Sequence, residues 1–258
     1  MMAVSRRQFL KMSGFTLGGL IVYSSLPVAL WLRNAAAAGN NESIPAEYQP
    51  ELYQWAMVID IAKCIGCRRC LDACKRENKV PADLALNRTW LERYEITGDG
   101  SLKVEFISRT DLNPELDEET ARRGFFVPKL CHQCANPPCV SVCPVNATFR
   151  TPDGVILVDE NRCIGCKYCI VACPYGARYL HPETKVVDKC TFCYHRITEG
   201  MPPACVQVCP TQARTFGNLK NPDDPVRQRL IDEALQVIKP SLGTKPRVYY
   251  KGLREGVR

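Results

Sequence analysis

The stretch CIGCKYCIVACP (residues 163–174) sets four cysteines at gaps of two, two and three residues and ends on a proline. The same spacing occurs in CIGCRRCLDAC (residues 64–74). A longer gap precedes the third cysteine in CHQCANPPCVSVCP (residues 131–144) and in CTFCYHRITEGMPPACVQVCP (residues 190–210). All 16 cysteines of the 258-residue chain fall in these groups, which we number one to four in chain order. A chain this long can bury a sizeable core, so the cysteines are not needed to brace a small fold.

The spacing of groups one and three is typical of [4Fe–4S] ligand runs, in which three thiolates hold one cluster and the fourth holds its neighbour. Two-residue gaps, with Gly66 and Gly165, let a tight loop place three sulfurs around one cluster. The three-residue gap that follows begins a helix, which points the fourth sulfur away from that loop. Proline follows the fourth cysteine in groups two, three and four, whereas group one has Lys75 there. The longer gaps in groups two and four predict larger loops with the same number of ligands.

The first 38 residues have the features of an export signal. SRRQFLK (residues 5–11) has the paired arginine of the twin-arginine type, whose route carries folded proteins. Residues 12–32 are uncharged, and the alanines at 35–38 offer a cleavage site. The alternative is that the apolar run remains as a membrane anchor. Because iron–sulfur clusters are assembled inside the cell, we predict a twin-arginine signal at 1–38, an N-terminal extension at 39–54 and a mature protein in the periplasm.

Disulfides and zinc sites are the alternatives for the cysteines. Export favours disulfides, but cysteines repeated at two-residue gaps suit them badly. Zinc sites of four cysteines consist of two separated C-x2-C pairs, which groups one and three do not match. Analysis of iron and acid-labile sulfide separates both alternatives from iron–sulfur clusters.

The net charge gives little reason to expect nucleic acid as a partner. The first 38 residues hold four of the 34 basic residues and no acidic one, so their removal lowers the net charge from +7 to +3. No polybasic block remains. No P-loop, dinucleotide fingerprint or nucleophile elbow is present either. His132 and His195, beside cysteines, are predicted to be spacers or hydrogen-bond donors rather than ligands.

Basic residues accompany the cysteines. We predict that they offset the negative charge of clusters and raise their reduction potentials, or that they are solvated surface charges. They are Lys63, Arg68, Arg69, Lys75, Arg162, Lys167 and Lys189.

An internal repeat predicts an α+β fold built from a duplicated ferredoxin. VIDIAKC (residues 58–64), LVDENRC (157–163) and VVDKC (186–190) each place a short apolar strand and an aspartate before a cysteine group. Residues 146–159 and 176–188 each read as strand, turn, strand. Between groups one and two, residues 89–108 alternate around Gly98-Asp99-Gly100, which predicts a β-hairpin insertion.

The residues after group four predict a C-terminal helix and a tail. Asp224 and Pro225 resemble an N-cap and first helical residue, and Tyr249 and Tyr250 suggest a tail that docks on a partner. The apolar face of the helix is predicted to consist of Val226, Leu230, Ile231, Leu235 and Ile238.

Four such groups in this order resemble the four-cluster electron-transfer subunits of the dimethyl-sulfoxide-reductase class. The resemblance rests on VIDIAKCIGCRRC, CHQCANPPC, CIGCKYCIVACPYGARY and DKCTFCYHR and covers residues 55–250. The ending IKPSLGTKPRVYY (residues 238–250) is most similar to the tetrathionate and polysulfide reductase subunits. Since all 16 cysteines are present, the resemblance implies four [4Fe–4S] clusters.

The resemblance also implies how the groups pair, which spacing alone leaves open. Groups one and four would form a ferredoxin-like domain (55–75 and 181–220), and groups two and three another (125–180). The insertion would occupy 76–124, and the helix and docking tail 221–258. The implied ligand sets are set 1 (Cys64, Cys67, Cys70, Cys209), set 2 (Cys74, Cys190, Cys193, Cys205), set 3 (Cys131, Cys134, Cys139, Cys173) and set 4 (Cys143, Cys163, Cys166, Cys169).

The function that the resemblance implies is electron transfer without substrate chemistry on this chain. Electrons would pass between an integral-membrane quinone-reactive subunit and a molybdopterin catalytic subunit. These partners would hold the protein at the outer face of the cytoplasmic membrane. The alternative is a nitrite- or sulfite-linked complex that has a multihaem cytochrome c and no molybdopterin subunit. A structural protein with disulfides or zinc is the third hypothesis.

Overall fold

Short strands and short helices alternate along the chain in the computed structural model, which describes residues 48–81, 86–107 and 124–257. The strands are β1 (Trp55–Asp60), β2 (Thr89–Ile96), β3 (Leu102–Ile107), β4 (Gly124–Leu130), β5 (Thr148–Arg150), β6 (Ile156–Val158), β7 (Tyr179–Leu180), β8 (Val187–Asp188), β9 (Arg214–Asn218), β10 (Leu235–Gln236) and β11 (Val248–Lys251). The helices are α1 (Arg69–Glu77), α2 (Pro138–Ser141), α3 (Tyr168–Val171), α4 (Tyr194–Ile197), α5 (Ala204–Gln207) and α6 (Pro225–Asp232). The predicted export signal lies outside the described residues.

A four-stranded sheet supports the first cysteine group. Its order is β10-β11-β1-β9, with β1 parallel to β11 and antiparallel to β9. Residues 56–60 of β1 are all buried, as in a strand that is covered on both faces. The sheet therefore fixes the point at which the chain enters the loop of group one.

The predicted docking tail is wrong for residues 248–251. These residues are β11, an inner strand of the sheet, and Tyr250 is fully buried with its hydroxyl donating to the Pro128 carbonyl at 3.1 Å. The two tyrosines alternate across the strand, so Tyr249 packs on the other face. The aromatic pair is thus part of the core.

The predicted C-terminal helix is also too long. The Asp224 side chain accepts from the Val226 N–H and Pro225 is the first helical residue, but α6 ends at Asp232. Leu235 then lies in β10, and Ile238 packs in the main core. Over so short a segment, the same spacing of apolar residues fits either a helix or a strand followed by a turn. The spacing therefore predicted a longer helix than the one that forms.

The insertion forms a three-stranded sheet in the order β3-β2-β4. β2 and β3 are antiparallel and pair Ile96 with Leu102 across the turn at Gly98-Asp99-Gly100. β4, which the sequence reading assigned to the next domain, pairs with β2 over its whole length. The predicted boundary at 124/125 therefore falls at the start of a strand of the insertion sheet.

Two-stranded ribbons follow groups two and three. β5 pairs with β6, and β7 pairs with β8. One apolar core reaches from the four-stranded sheet to these ribbons and includes Met57, Val127, Val155, Ala177 and Tyr250. Residues 48–258 accordingly cluster as one compact unit, so the two predicted ferredoxin-like domains share a core. Within the described ranges, no helix is both long enough and apolar enough to cross a bilayer.

Candidate iron–sulfur sites

The four cysteines of set 1 line one cavity. After β1, the Asp60 side chain accepts from the Ala62 N–H at 3.1 Å and starts a short 3-10 turn that leads into the loop. Gly66 has φ +71°, and a Cβ there would come within 2.6 Å of the Phe126 ring. Glycine is therefore required both by the backbone and by the close approach of β4.

The four cysteines of set 2 line a second cavity. The Asn78 amide donates to the sulfurs of Cys74 and Cys193, both at 3.6 Å. Arg88 orients this amide by donating to its oxygen at 2.8 Å, and is itself paired with Asp188 at 2.8 Å. The protein alone therefore holds hydrogen-bond donors towards the sulfurs of this site.

The four cysteines of set 3 line a third cavity, together with His132, Tyr175 and Arg178. The His132 ring stacks on Tyr175 with centroids 3.9 Å apart, and neither of its buried nitrogens has a hydrogen-bond partner among the described residues. Burial, with Lys129 and Lys239 nearby, lowers the pKa of His132 to about 3, so the ring is neutral and carries one N–H. A buried N–H without a partner is costly and suits a site that receives a group with acceptor atoms, such as sulfide.

The four cysteines of set 4 are connected by fewer contacts than those of the other three sets. Cys163 and Cys169 pack in one apolar cluster, which also contains Cys139 of set 3. Cys143 accepts from the Thr148 N–H at 3.4 Å, and Cys166 is exposed beside the left-handed Gly165. The structure therefore brings two of these four cysteines together and places the other two in adjacent loops.

The cysteines are unpaired in the structure, and burial sets the state of several of their thiols. All 16 cysteines are free thiols, and within the described ranges no three His, Cys, Asp or Glu side chains converge to hold one metal ion. Burial raises the pKa of the Cys64 thiol to about 11 and that of Cys134 to about 12. Such thiols are protonated when free, and they would have to lose these protons to serve as iron ligands.

Two cysteines before prolines behave differently from the buried ones. Burial tends to raise the pKa of Cys143, but the backbone N–H groups of Thr148, Val145 and Ala147 bring it below its ordinary value. The pKa of Cys209 is lowered in the same way by the Thr211 hydroxyl and backbone donors. The turns after these cysteines present N–H groups to a thiolate, which suits a sulfur bound to iron.

Two family models and several known proteins are similar to this chain. Residues 63–147 and 122–219 each match a family model described as a 4Fe-4S dicluster domain. A tetrathionate reductase subunit of Salmonella typhimurium is 38% identical over 96% of this chain and 88% of its own length. A polysulfide reductase subunit of Wolinella succinogenes is 39% identical over 76% of this chain and 93% of its own length. Protein NrfC of Escherichia coli K12 is 40% identical over 76% of this chain and 79% of its own length.

This protein belongs to the iron–sulfur electron-transfer subunits of respiratory oxidoreductases. The resemblance found in the sequence is thereby confirmed at the level of the class. The dicluster matches support [4Fe–4S] clusters as the cofactors, and 16 cysteines are consistent with four of them. Members of this family carry electrons for oxidoreductase complexes, which is the chemistry such clusters supply when bound.

The sequence reading missed the two arginines that contact the sulfurs of this electron-transfer subunit. Arg178 donates to the Cys139 sulfur at 3.0 Å, and Arg214 donates to the sulfurs of Cys70 and Cys205 at 3.6 and 3.7 Å. Both are almost fully buried. The signal for them lies in CPYGAR (residues 173–178) and CPTQAR (residues 209–214), where an arginine follows the last cysteine of a group by five positions.

The basic residues and histidines that the sequence did single out divide by burial. Lys75 and Lys189 are buried, whereas Arg162 and Lys167 are exposed and match the surface interpretation. His195 pairs with Glu77 at 2.7 Å on the surface, and the expected hydrogen bond of His132 is not made to protein.

Proposed function

We propose that this chain is a periplasmic subunit that passes electrons through four [4Fe–4S] clusters between a membrane quinone-reactive subunit and a molybdopterin catalytic subunit. The observation that carries this proposal is the convergence of cysteines that are far apart in sequence. Cys209 joins Cys64 around one cavity, and Cys74 joins Cys190 around another. Pairing of group one with group four is what the family resemblance implies.

The cavities support the proposed ligand assignment. Sets 1, 2 and 3 would each supply four thiolates to one cluster, because each set lines one cavity. For set 4, the shared apolar cluster of Cys163 and Cys169 and the donor held against Cys143 support the same assignment. The buried donors at sets 1, 2 and 3 fit groups that carry negative charge on sulfur.

The contacts between sets support one order for the electron path. Arg214 touches both Cys70 of set 1 and Cys205 of set 2. Cys190 of set 2 and Cys131 of set 3 belong to one apolar cluster, and Cys139 of set 3 packs with Cys169 of set 4. The path would therefore run from set 1 through sets 2 and 3 to set 4.

The outer partners are proposed from the relatives. The similar proteins of Salmonella typhimurium and Wolinella succinogenes are named as parts of tetrathionate and polysulfide reductases, which supports a separate catalytic subunit for this chain. The second candidate is the one that the sequence also allowed, a nitrite- or sulfite-linked complex with a multihaem cytochrome c in place of the molybdopterin subunit. The twin-arginine motif of residues 5–11 supports a site of action outside the cytoplasm.

Copurification tests which partner is present. A tagged chain, isolated anaerobically from membranes in mild detergent, is expected to bring with it an integral-membrane subunit and about one molybdopterin per chain. Molybdopterin is measured through its fluorescent oxidation product and c-type haem by its absorbance, with an untagged strain as the control. Stoichiometric haem c without molybdopterin would replace the first candidate by the second. Absence of any membrane subunit would contradict both.

A further inference from the structure

We propose that three buried cations, Arg214, Lys189 and Arg178, raise the reduction potentials of the clusters that flank them. Each of them lies in one of the three gaps between successive cluster sites. There its positive charge also weakens the repulsion between electrons on neighbouring clusters. This inference rests on the proposed function, because it takes the four ligand sets as cluster sites. It concerns electrostatics inside the subunit and is independent of the identity of the outer partners.

Arg214 lies in the gap between sets 1 and 2. One terminal nitrogen of its guanidinium donates to the Cys70 sulfur at 3.6 Å, and the other donates to the Cys205 sulfur at 3.7 Å. The nitrogen that reaches Cys70 also donates to the Thr89 hydroxyl at 3.0 Å, and the residue is 3% exposed. A single guanidinium thus touches sulfurs of two sets.

Lys189 lies in the gap between sets 2 and 3. Its ammonium donates to the carbonyl of Cys190, a set 2 ligand, at 2.9 Å and to the carbonyl of Ile156, which lines the set 3 cavity. Gln133 bridges the same two residues, since its amide nitrogen donates to Cys190 O and its oxygen accepts from Ile156 N, both at 2.7 Å. Lys189 is 1% exposed, so its charge acts within the protein rather than on solvent.

Arg178 lies in the gap between sets 3 and 4. One nitrogen of its guanidinium donates to the Cys139 sulfur of set 3 at 3.0 Å. The other donates to the Thr148 hydroxyl at 3.2 Å, and the Thr148 N–H donates in turn to the Cys143 sulfur of set 4. The arginine therefore contacts one set directly and the other through a single residue.

The internal repeat explains two of the three positions. Arg178 and Arg214 each lie five residues after a cysteine that is followed by proline. The repeat of the ferredoxin unit therefore puts an arginine at the equivalent position of each unit, between its two cluster sites. Lys189 has no counterpart in this scheme, because it lies where the two units meet. The repeated arginine therefore occupies the gap within each unit, and Lys189 occupies the gap between the two units.

Burying the three cations removes them from water, which costs free energy unless negative charge lies nearby. Burying an unpaired charge is expensive, and within the described ranges none of the three cations is paired with a carboxylate. A [4Fe–4S] cluster with four thiolates carries a net charge of about −2 when oxidised, and reduction adds one more negative charge. Clusters on both sides of each cation would supply the missing counter-charge, and in the low dielectric of the core the attraction acts on both.

Potentiometric titration of the holoprotein, followed by paramagnetic resonance, tests the inference. Arg214→Met, Lys189→Met and Arg178→Met remove the charge and keep much of the side-chain volume. Each variant is expected to lower the reduced-to-oxidised ratio of its two flanking clusters about tenfold at a fixed potential, which is about 59 mV for one electron. The two remaining clusters are expected to keep their potentials.

Arg162→Met is the matched control, because Arg162 is next to a ligand, Cys163, but is exposed. It is expected to leave all four potentials unchanged. A shift confined to one flanking cluster, or an equal shift in the control, would overturn the inference.

If a methionine variant loses iron, a second pair of variants tests whether the charge sets the potentials. Arg214→Lys keeps the charge and Arg214→Gln does not, and the lysine variant is expected to stay nearer the parent potentials. Equal potentials in the two would overturn a role for charge. Iron content separates this outcome from failure of the proposed function. A parent protein without four clusters contradicts the proposed function, whereas four clusters with no paired shifts contradict this inference alone.

Discussion

Replacing Cys209 together with Cys64 by serine is expected to damage one cluster, whereas replacing Cys209 together with Cys205 is expected to damage two. The first pair lines one cavity, so both changes act on the same cluster. The second pair divides between two cavities, although the two cysteines are only four residues apart. Serine is close to cysteine in size, but its hydroxyl is a much poorer ligand for iron. From a parent with four cubes of four irons, the first variant should hold about 12 iron per chain, because one cube loses two ligands. The second should hold between about 8 iron, if both cubes are lost, and about 14, if each loses one iron. Paramagnetic resonance should accordingly show three intact cubes in the first variant and two in the second.

The single variants control for partial loss. Cys209→Ser and Cys74→Ser are each expected to convert or remove a different cluster, so different reduced signals should disappear in paramagnetic resonance. Pairing of neighbouring groups, one with two and three with four, makes the opposite forecast for the first double variant. Loss of two clusters from Cys64→Ser with Cys209→Ser, in a protein that remains folded, would contradict the ligand sets.

Replacing both Arg6 and Arg7 by lysine is expected to stop export. The paired arginine is the feature that the twin-arginine route recognises, and lysine preserves the charge while changing the side chain. Cluster-containing protein should then accumulate in the cytoplasm, where immunoblots of cell fractions and cluster absorbance can detect it. Lys11→Arg, which leaves the pair intact, is the control and should be exported normally. Normal periplasmic levels of the double variant would contradict the export route.

The cysteine spacing made the cofactor and the local loops predictable. Two-residue gaps with Gly66 and Gly165 require left-handed glycines, and both have positive φ. Alternation around Gly98-Asp99-Gly100 was enough to indicate the hairpin that β2 and β3 form. These features depend on residues close together in sequence, where spacing and turn chemistry carry the information.

The features that the sequence did not reveal depend on distant residues. The position of Tyr250 is set by pairing of β11 with β1, nearly two hundred residues earlier, which no local pattern encodes. The roles of Arg178 and Arg214 become visible only when their sulfur partners are brought near, since a basic residue in a loop otherwise resembles surface charge. Bringing Cys209 to Cys64 is a long-range event of the same kind, and the spacing alone left it open.

Iron and acid-labile sulfide analysis of the anaerobically purified chain tests the central claim most directly. Sixteen cysteines in four sets of four require about 16 iron and about 16 sulfide per chain if every set holds a cube. Zinc should be absent in stoichiometric amount, and thiol titration after removal of the clusters should recover the cysteines unpaired. Stoichiometric zinc, or cysteines paired as disulfides in the anaerobic sample, would contradict the account.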